Sequence, residues 1–353
     1  MLDDMEVINK IDKSSMIDTI TQFSDQILET IGMMREFDVP AIDKIDNIVI
    51  CGMGGSAISG DILQNLFRNS MQIPIFVNRD YNLPKWVNEK TMVVVQSYSG
   101  NTEETLSSFK DATRRHCLIF GISSGGKLEE ECRTHNIPFF KIPQGYAPRA
   151  ATAYLLFSSL ILLEKLKIVD ASIKQDIEET LQIIKDSENL MAKTSPESQN
   201  LAKQLAQTLF QSVPQVYGWN IYEPIARRWC TQLNENSKVI ARYDFVSECN
   251  HNDIVGWSMD PNVSKNFTCI LLRDEELESP NIKKRLDFMK SLYKKAAGNV
   301  IEIYPKGKSN LAKMMYTMCL GDFVSCYLAI LRQIDPTPVD IITKLKEELS
   351  QIA

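Results

Sequence analysis

Ile48-Val49-Ile50-Cys51-Gly52-Met53-Gly54-Gly55-Ser56-Ala57 is an apolar run that breaks into glycines and then into small residues suited to the start of a helix. Four apolar positions in a row, closed by a turn, read as a strand buried on both faces, as in a parallel sheet. The glycines behind it let main-chain amides approach an anion at the N-terminus of the next helix. Strand-like runs return at Ile75-Phe76-Val77, Met92-Val93-Val94-Val95 and Cys117-Leu118-Ile119-Phe120, each followed by a turn and a helix-like or loop segment. That alternation predicts a doubly wound parallel sheet. A fifth short strand at Pro138-Phe139-Phe140-Lys141-Ile142 leads through a Pro/Gly loop into an apolar helix from Ala151 to Leu166, and a first domain is expected over 1–170.

Upstream, Met16, Ile17, Ile20, Phe23, Ile27 and Ile31 recur at helical spacing and predict one amphipathic helix over about residues 13 to 36. Downstream, Lys185 to Asn200 loses hydrophobic strength and reads as a connection between domains. The strand and helix pattern then restarts. Strands are expected at Gln215-Val216-Tyr217, Val239-Ile240-Ala241, Cys269-Ile270-Leu271-Leu272 and Val300-Ile301-Glu302-Ile303, with clear helices from Asn281 to Ala297 and Leu311 to Gln333. A second α/β domain over 195–353 follows, related to the first by fold and not by tandem sequence. Its tail carries Val339, Ile342, Leu345 and Leu349 on one face of a terminal helix that starts near Pro336 and Pro338.

A chain of 353 residues with 44% hydrophobic content can fill two cores. Its net charge of −6 argues against nucleic acid as a partner, because polyanion binding needs concentrated Lys and Arg. Eight scattered cysteines without a CxxC pair suit buried thiols in a reducing cytoplasm, with no disulfides. The acidic start, Met1 to Glu6, is unlike a signal peptide, and no apolar run reads as long enough to cross a bilayer.

Three loops carry the candidate chemistry. Gly52 to Ala57 is a phosphate-loop candidate, although it also satisfies G-x-G-x-x-A and Asp80 follows at the end of the second strand, which keeps a dinucleotide site in play. Ser97-Tyr98-Ser99-Gly100-Asn101-Thr102 gathers hydroxyls and amides at a second helix N-terminus, neutral donors that suit a phosphomonoester. Pro143-Gln144-Gly145-Tyr146-Ala147-Pro148-Arg149 sets one arginine where it would hold developing negative charge. Glu235, in Gln232-Leu233-Asn234-Glu235-Asn236-Ser237-Lys238, and His251, sixteen positions later, read as an acid/base pair suited to moving a proton at carbon and protons at oxygen, the alternative being a polar turn with a surface histidine.

These motifs, together with Asp335-Pro336-Thr337-Pro338-Val339, resemble the bifunctional phosphoglucose/phosphomannose isomerase family from about residue 48 onward. The resemblance implies two sugar isomerase (SIS) domains of flavodoxin-like three-layer design, with an N-terminal helix and a C-terminal helical tail. It also implies a homodimer, its active site near the domain and subunit interfaces, acting on hexose 6-phosphates without metal or organic cofactor; the cytoplasmic expectation rests on the cysteines and the acidic start. Carried over by position, the phosphate site falls on Gly55, Ser56, Ser97, Ser99 and Thr102, and the enediolate-stabilising arginine on Arg149. The base falls on Glu235, and the groups assisting ring opening on His251 and Lys346, with Lys344 the alternative lysine. Ser247-Glu248-Cys249 departs from the family's lead-in to the histidine.

Three rivals share these features: a non-catalytic phosphosugar sensor, an NADP-linked oxidoreductase, and an isomerase of another phosphosugar. Cys132 and His135 have C-x-x-H spacing without a second pair, so no metal site is assigned. The methionines around Met314 to Met318 read as core filler, and Arg227 and Arg228 as exposed helix arginines outside the site.

Overall fold

The computed structural model describes residues 1–42, 44–257 and 259–349. The chain opens with α1 (Met5–Ile11), α2 (Met16–Ile20) and α3 (Phe23–Glu36). The single helix expected over about 13 to 36 is thus interrupted, because polar side chains cap its pieces separately. Asp12 accepts from the amides of Met16 and Ile17, and the buried Glu188 accepts from the amide and hydroxyl of Ser24.

The first sheet uses β1 (Asn47–Cys51), β2 (Ile75–Asn78), β3 (Thr91–Gln96), β4 (Leu118–Ser123) and β5 (Phe139–Lys141). All pairings are parallel, in the order β2-β1-β3-β4-β5. Helices α4 (Gly54–Phe67), α5 (Glu103–Arg114), α6 (Gly126–Thr134) and α7 (Thr152–Lys165) connect and flank it. Every residue of β3 is buried, as a continuous apolar run requires when helices cover both faces.

A 19-residue helix, α8 (Ile173–Met191), runs into the stretch expected to be a loose connection and takes its first part, up to Met191. Its apolar face, with Ile177, Ile184 and Met191 buried, holds the helix together where composition suggested a linker, so only residues 192–200 lie outside helices. The second sheet contains β6 (Val213–Gly218), β7 (Arg242–Phe245), β8 (Phe267–Leu272) and β9 (Asn299–Ile303), again all parallel, in the order β7-β6-β8-β9. Around it stand α9 (Leu201–Leu209), α10 (Glu223–Ser237), α11 (Asp253–Trp257), α12 (Pro261–Ser264), α13 (Pro280–Ala296), α14 (Asn310–Leu331) and α15 (Asp340–Leu349).

The strand expected at Val239-Ile240-Ala241 lies three residues further on. Ile240 is exposed, and the amide of Ala241 is taken by the side-chain oxygen of Asn234, so this segment turns before it can join the sheet. Helix α14 is long and apolar enough to cross a membrane by composition, a property the sequence reading overlooks. In the fold it is the central core helix, with Met314, Met315 and Met318 fully buried, and it packs on α8, α9 and α10. The terminal helix α15 buries none of its residues against the rest of the chain.

Candidate active site

In an open parallel sheet of this strand order, ligands bind outside the carboxyl ends of the strands where the order reverses, here between β1 and β3. The first two loop motifs sit at that crevice. Gly55 and Ser56 open α4 directly after β1, and the loop from Ser97 to Thr102 follows β3 into α5. The first amides of a helix have no intrahelical acceptor and point toward an incoming anion. The two loops are tied to each other: the Tyr98 amide donates to Ser56 Oγ (3.3 Å), and Ser59 Oγ donates to the buried Gln96 side chain at the end of β3 (2.5 Å). Ser97 and Thr102 share a hydroxyl contact of 2.8 Å. Ser99 is exposed and accepts from the Asn101 amide. Gly100 has φ +69° and lies so close to the Gly125 carbonyl that no Cβ fits, which fixes the tight return of this loop.

Arg149 belongs to a short 3-10 turn between β5 and α7, and it is buried. Its Nε donates to Asn236 Oδ1 (2.5 Å) and its Nη2 to the carbonyls of Pro336 and Thr337 (both 2.8 Å). The remaining Nη1 stands 3.6 Å from Glu235 Oε2. Burial pulls the guanidinium below its ordinary pKa, and the Glu235 carboxylate opposes that shift. The Tyr98 hydroxyl accepts from the Tyr146 amide (2.8 Å) and donates to the Pro143 carbonyl (3.2 Å), which joins the arginine loop to the phosphate loop. Gly55 completes the junction, since a Cβ there would stand 3.0 Å from the Pro148 carbonyl oxygen and 3.1 Å from Arg149 Cα.

The fold therefore brings together Gly55, Ser56, Ser97, Thr102, Arg149 and Glu235. It leaves His251 apart from them. Glu235 lies near the C-terminus of α10, beside the start of β7, whereas His251 follows the far end of that strand. Val246, just past β7, donates to the Gly218 carbonyl at the end of β6, so the His251 turn shares an edge with the beginning of α10. From there to Glu235 the helix rises about 18 Å, too far for a histidine side chain. Lys344 and Lys346 are both exposed on α15.

Sequence reasoning assigned no role to the supports of Arg149. Arg228, expected to be exposed, is 2% exposed; it pairs with Asp322 of α14 through two contacts (3.0 and 2.8 Å) and donates to the Arg149 carbonyl (2.6 Å). Asn236 grips the Arg149 side chain and donates to Ser325 Oγ (2.9 Å). A usable signal existed: Arg228 shares a helix face with Ile225, Trp229 and Gln232, all buried, which is where an unpaired charge would be costly. The rival dinucleotide reading finds no comparable construction at Asp80, which is exposed and whose carbonyl accepts from Asn78 and Ser108.

The second sheet has an equivalent crevice between β6 and β8, but aromatic side chains fill it. Buried Trp219 donates to the Leu272 carbonyl (2.9 Å), and the buried Tyr222 hydroxyl donates to Asp274 (2.6 Å). Acidic and aromatic groups there make a poor cradle for phosphate. Among the described residues no cluster of His, Cys, Asp and Glu has the composition of a metal site.

Residues 198–349 match the family model described as the bacterial phospho-glucose isomerase C-terminal SIS domain. The chain is 41% identical over 340 residues to the bifunctional phosphoglucose/phosphomannose isomerase of Caldicellulosiruptor bescii, covering 96% of this chain and 99% of that protein. To the Aquifex aeolicus protein of the same name it is 36% identical over 329 residues, covering 91% and 97%. Among solved structures, a hypothetical protein from Thermus thermophilus aligns with a TM-score of 0.77 at 14% identity, covering 98% of this chain and 93% of that one. The tagatose-6-phosphate ketose/aldose isomerase of Escherichia coli aligns at 0.63 and 15%, covering 95% and 94%. At those identities the two structures speak to the fold alone.

Proposed function

The chain belongs to the bifunctional phosphoglucose/phosphomannose isomerase family, and from that premise we propose how its residues carry the reaction. It is a hexose-phosphate isomerase that interconverts fructose 6-phosphate with glucose 6-phosphate and mannose 6-phosphate. The observation that carries the mechanism is the buried Arg149 guanidinium, held by three hydrogen bonds through Nε and Nη2 and facing Glu235 at the rim of the phosphate cradle.

In the open-chain ketose, Glu235 takes the proton from C1. The C–H electron pair becomes the C1–C2 double bond, and the carbonyl pair moves onto the C2 oxygen. Arg149 meets that charge with a cation placed beforehand, the kind of electrostatic support worth about 3 kcal/mol for one good donor. Return of the proton to C2, with transfer of the C1 hydroxyl proton, gives the aldose; delivery to one face of C2 gives the glucose configuration and to the other the mannose. Gly55, Ser56, Ser97, Ser99 and Thr102 hold the phosphate through hydroxyls and helix N-termini, neutral donors that bind the dianion without a competing cation.

Ring opening needs a group that handles oxygen protons. His251 and Lys346 take this role, and the separation of His251 from Glu235 along α10 points to a homodimer in which each site receives the histidine of the second copy. The exposed α15, with Ile341, Ile342, Leu345 and Leu349 uncovered, and the uncovered Val255, Met259 and Val263 near His251 supply apolar surface for such contact. We place the enzyme in the cytoplasm, keep the division at 1–170 and 195–353 with α8 as its connector, and assign no metal or organic cofactor to the enediol steps.

Proton NMR of the purified protein with fructose 6-phosphate in deuterium oxide tests the reading. Glucose 6-phosphate and mannose 6-phosphate should both appear, labelled at C2. One product would narrow the specificity, and binding without turnover would favour the sensor. A thermal shift with NADP would instead favour an oxidoreductase.

A further inference from the structure

The turn Asp335-Pro336-Thr337 offers two carbonyls to Arg149, so the direction of the guanidinium depends on what holds that turn. A second cation does so. Lys238 Nζ donates to the carbonyls of Asp335 (3.0 Å), Pro336 (2.9 Å) and Asn236 (3.3 Å), and the Pro336 carbonyl accepts from Lys238 and Arg149 together. No carboxylate pairs with this ammonium among the described residues; all three of its donors are used on main-chain oxygens.

The backbone makes the choice of lysine more telling. Lys238 caps α10 with φ 52° and ψ 42°, and its amide donates to the Leu233 carbonyl. Glycine commonly fills this left-handed position because any Cβ crowds the following carbonyl. A lysine here accepts that penalty and loses solvation besides: burial, then the neighbouring Arg149, pull its ammonium below the ordinary lysine value. A residue selected only to end a helix would avoid both costs.

We propose that Lys238 is a positioning residue for the isomerisation, clamping the Asp335 and Pro336 carbonyls so that Arg149 Nη2 is anchored and Nη1 is aimed at the site beside Glu235. This rests on the assignment of Arg149 and Glu235 to the chemistry. Lys238 touches neither substrate nor the reacting atoms; it acts through the turn.

The test uses full-length Lys238→Gly, Lys238→Met, Arg149→Lys and the double variant Lys238→Gly/Arg149→Lys, with kcat and KM measured for fructose 6-phosphate and melting followed in parallel. Lys238→Gly frees the backbone of its penalty while removing the clamp, so its melting temperature should stay close to that of the unmodified enzyme while kcat drops about 10- to 100-fold, with KM within about threefold. Lys238→Met should lose kcat similarly. In the Arg149→Lys background, losing Lys238 should cost less than about twofold, because the group it aims is already gone. Full activity in Arg149→Lys would overturn the site assignment itself. A crippled Arg149→Lys beside a Lys238→Gly of normal kcat, or losses that multiply in the double variant, would overturn the role of Lys238 alone.

Discussion

Gly55→Ala tests whether the phosphate cradle and the arginine form one rigid construction. The new methyl would stand 3.0 Å from the Pro148 carbonyl oxygen, 3.1 Å from Arg149 Cα and 3.3 Å from the Pro148 carbonyl carbon, all of them backbone atoms. Ordinary contact needs a few tenths of an ångström more, and no side chain can swing away to provide it. The Arg149 segment cannot simply retreat, because Arg228 holds its carbonyl while Asn236 and the Pro336 and Thr337 carbonyls hold its side chain. Overpacking of this sort costs about 1–3 kcal/mol. Replacing a helical glycine by alanine returns roughly 0.5–1 kcal/mol, so the net loss should be about 0–2.5 kcal/mol. If a misplacement of about 1 Å costs on the order of a hundredfold in rate, a third of that displacement should lower kcat about fivefold, with KM changed less. Steady-state kinetics with fructose 6-phosphate, beside urea unfolding, measures both quantities. A variant with unchanged kcat and a raised unfolding midpoint would show only the helix-propensity gain and would refute the rigid spacing of cradle and arginine.

Glu235→Gln should reduce turnover roughly a hundred- to ten-thousandfold while circular dichroism stays unchanged; a near-normal rate would remove its role as the base. Mixing inactive Glu235→Gln and His251→Ala proteins, with time for subunit exchange, should restore about a quarter of the activity if each site draws His251 from the second copy, since half the dimers are then mixed and each mixed dimer has one intact site. No recovery despite demonstrated exchange would mean that both groups act from one chain. Burial raises the Glu188 carboxyl from 4.5 to about 7 against the opposing Ser24 hydrogen bonds. Its folded pKa lies above the unfolded one, so its contribution is full below about pH 4.5 and is lost as pH climbs toward 7, by up to about 3 kcal/mol. Urea unfolding of Glu188→Gln at pH 5 and pH 8 should show a flatter dependence than the unmodified protein; an unchanged slope would assign the titration elsewhere.

The parts of this protein legible in its sequence are those whose physical demand is local. A strand buried on both faces must be apolar at every position, so β1, β3, β4 and β8 announce themselves, whereas β7, with Arg242-Tyr243-Asp244-Phe245 on a sheet edge and none of its residues fully buried, does not. The phosphate loops were legible for the same reason, since a main chain that wraps an anion needs glycine and small hydroxyl residues side by side in the chain. The neighbourhood of Arg149 and Glu235 could be reached only through family resemblance, because 86 positions separate them and no local pattern says that the turn after β5 meets the end of α10. The supporting cations stayed hidden because their partners are main-chain carbonyls and one distant aspartate. A carbonyl acceptor has no letter of its own, so a lysine that grips a turn reads like a lysine in solvent. What can betray such a residue is a local cost without a local benefit: Arg228 on the apolar face of α10, or Lys238 where glycine would sit more easily. Those are the positions at which tertiary contacts must offset a local penalty, and in this chain both sets of contacts converge on the arginine of the proposed site.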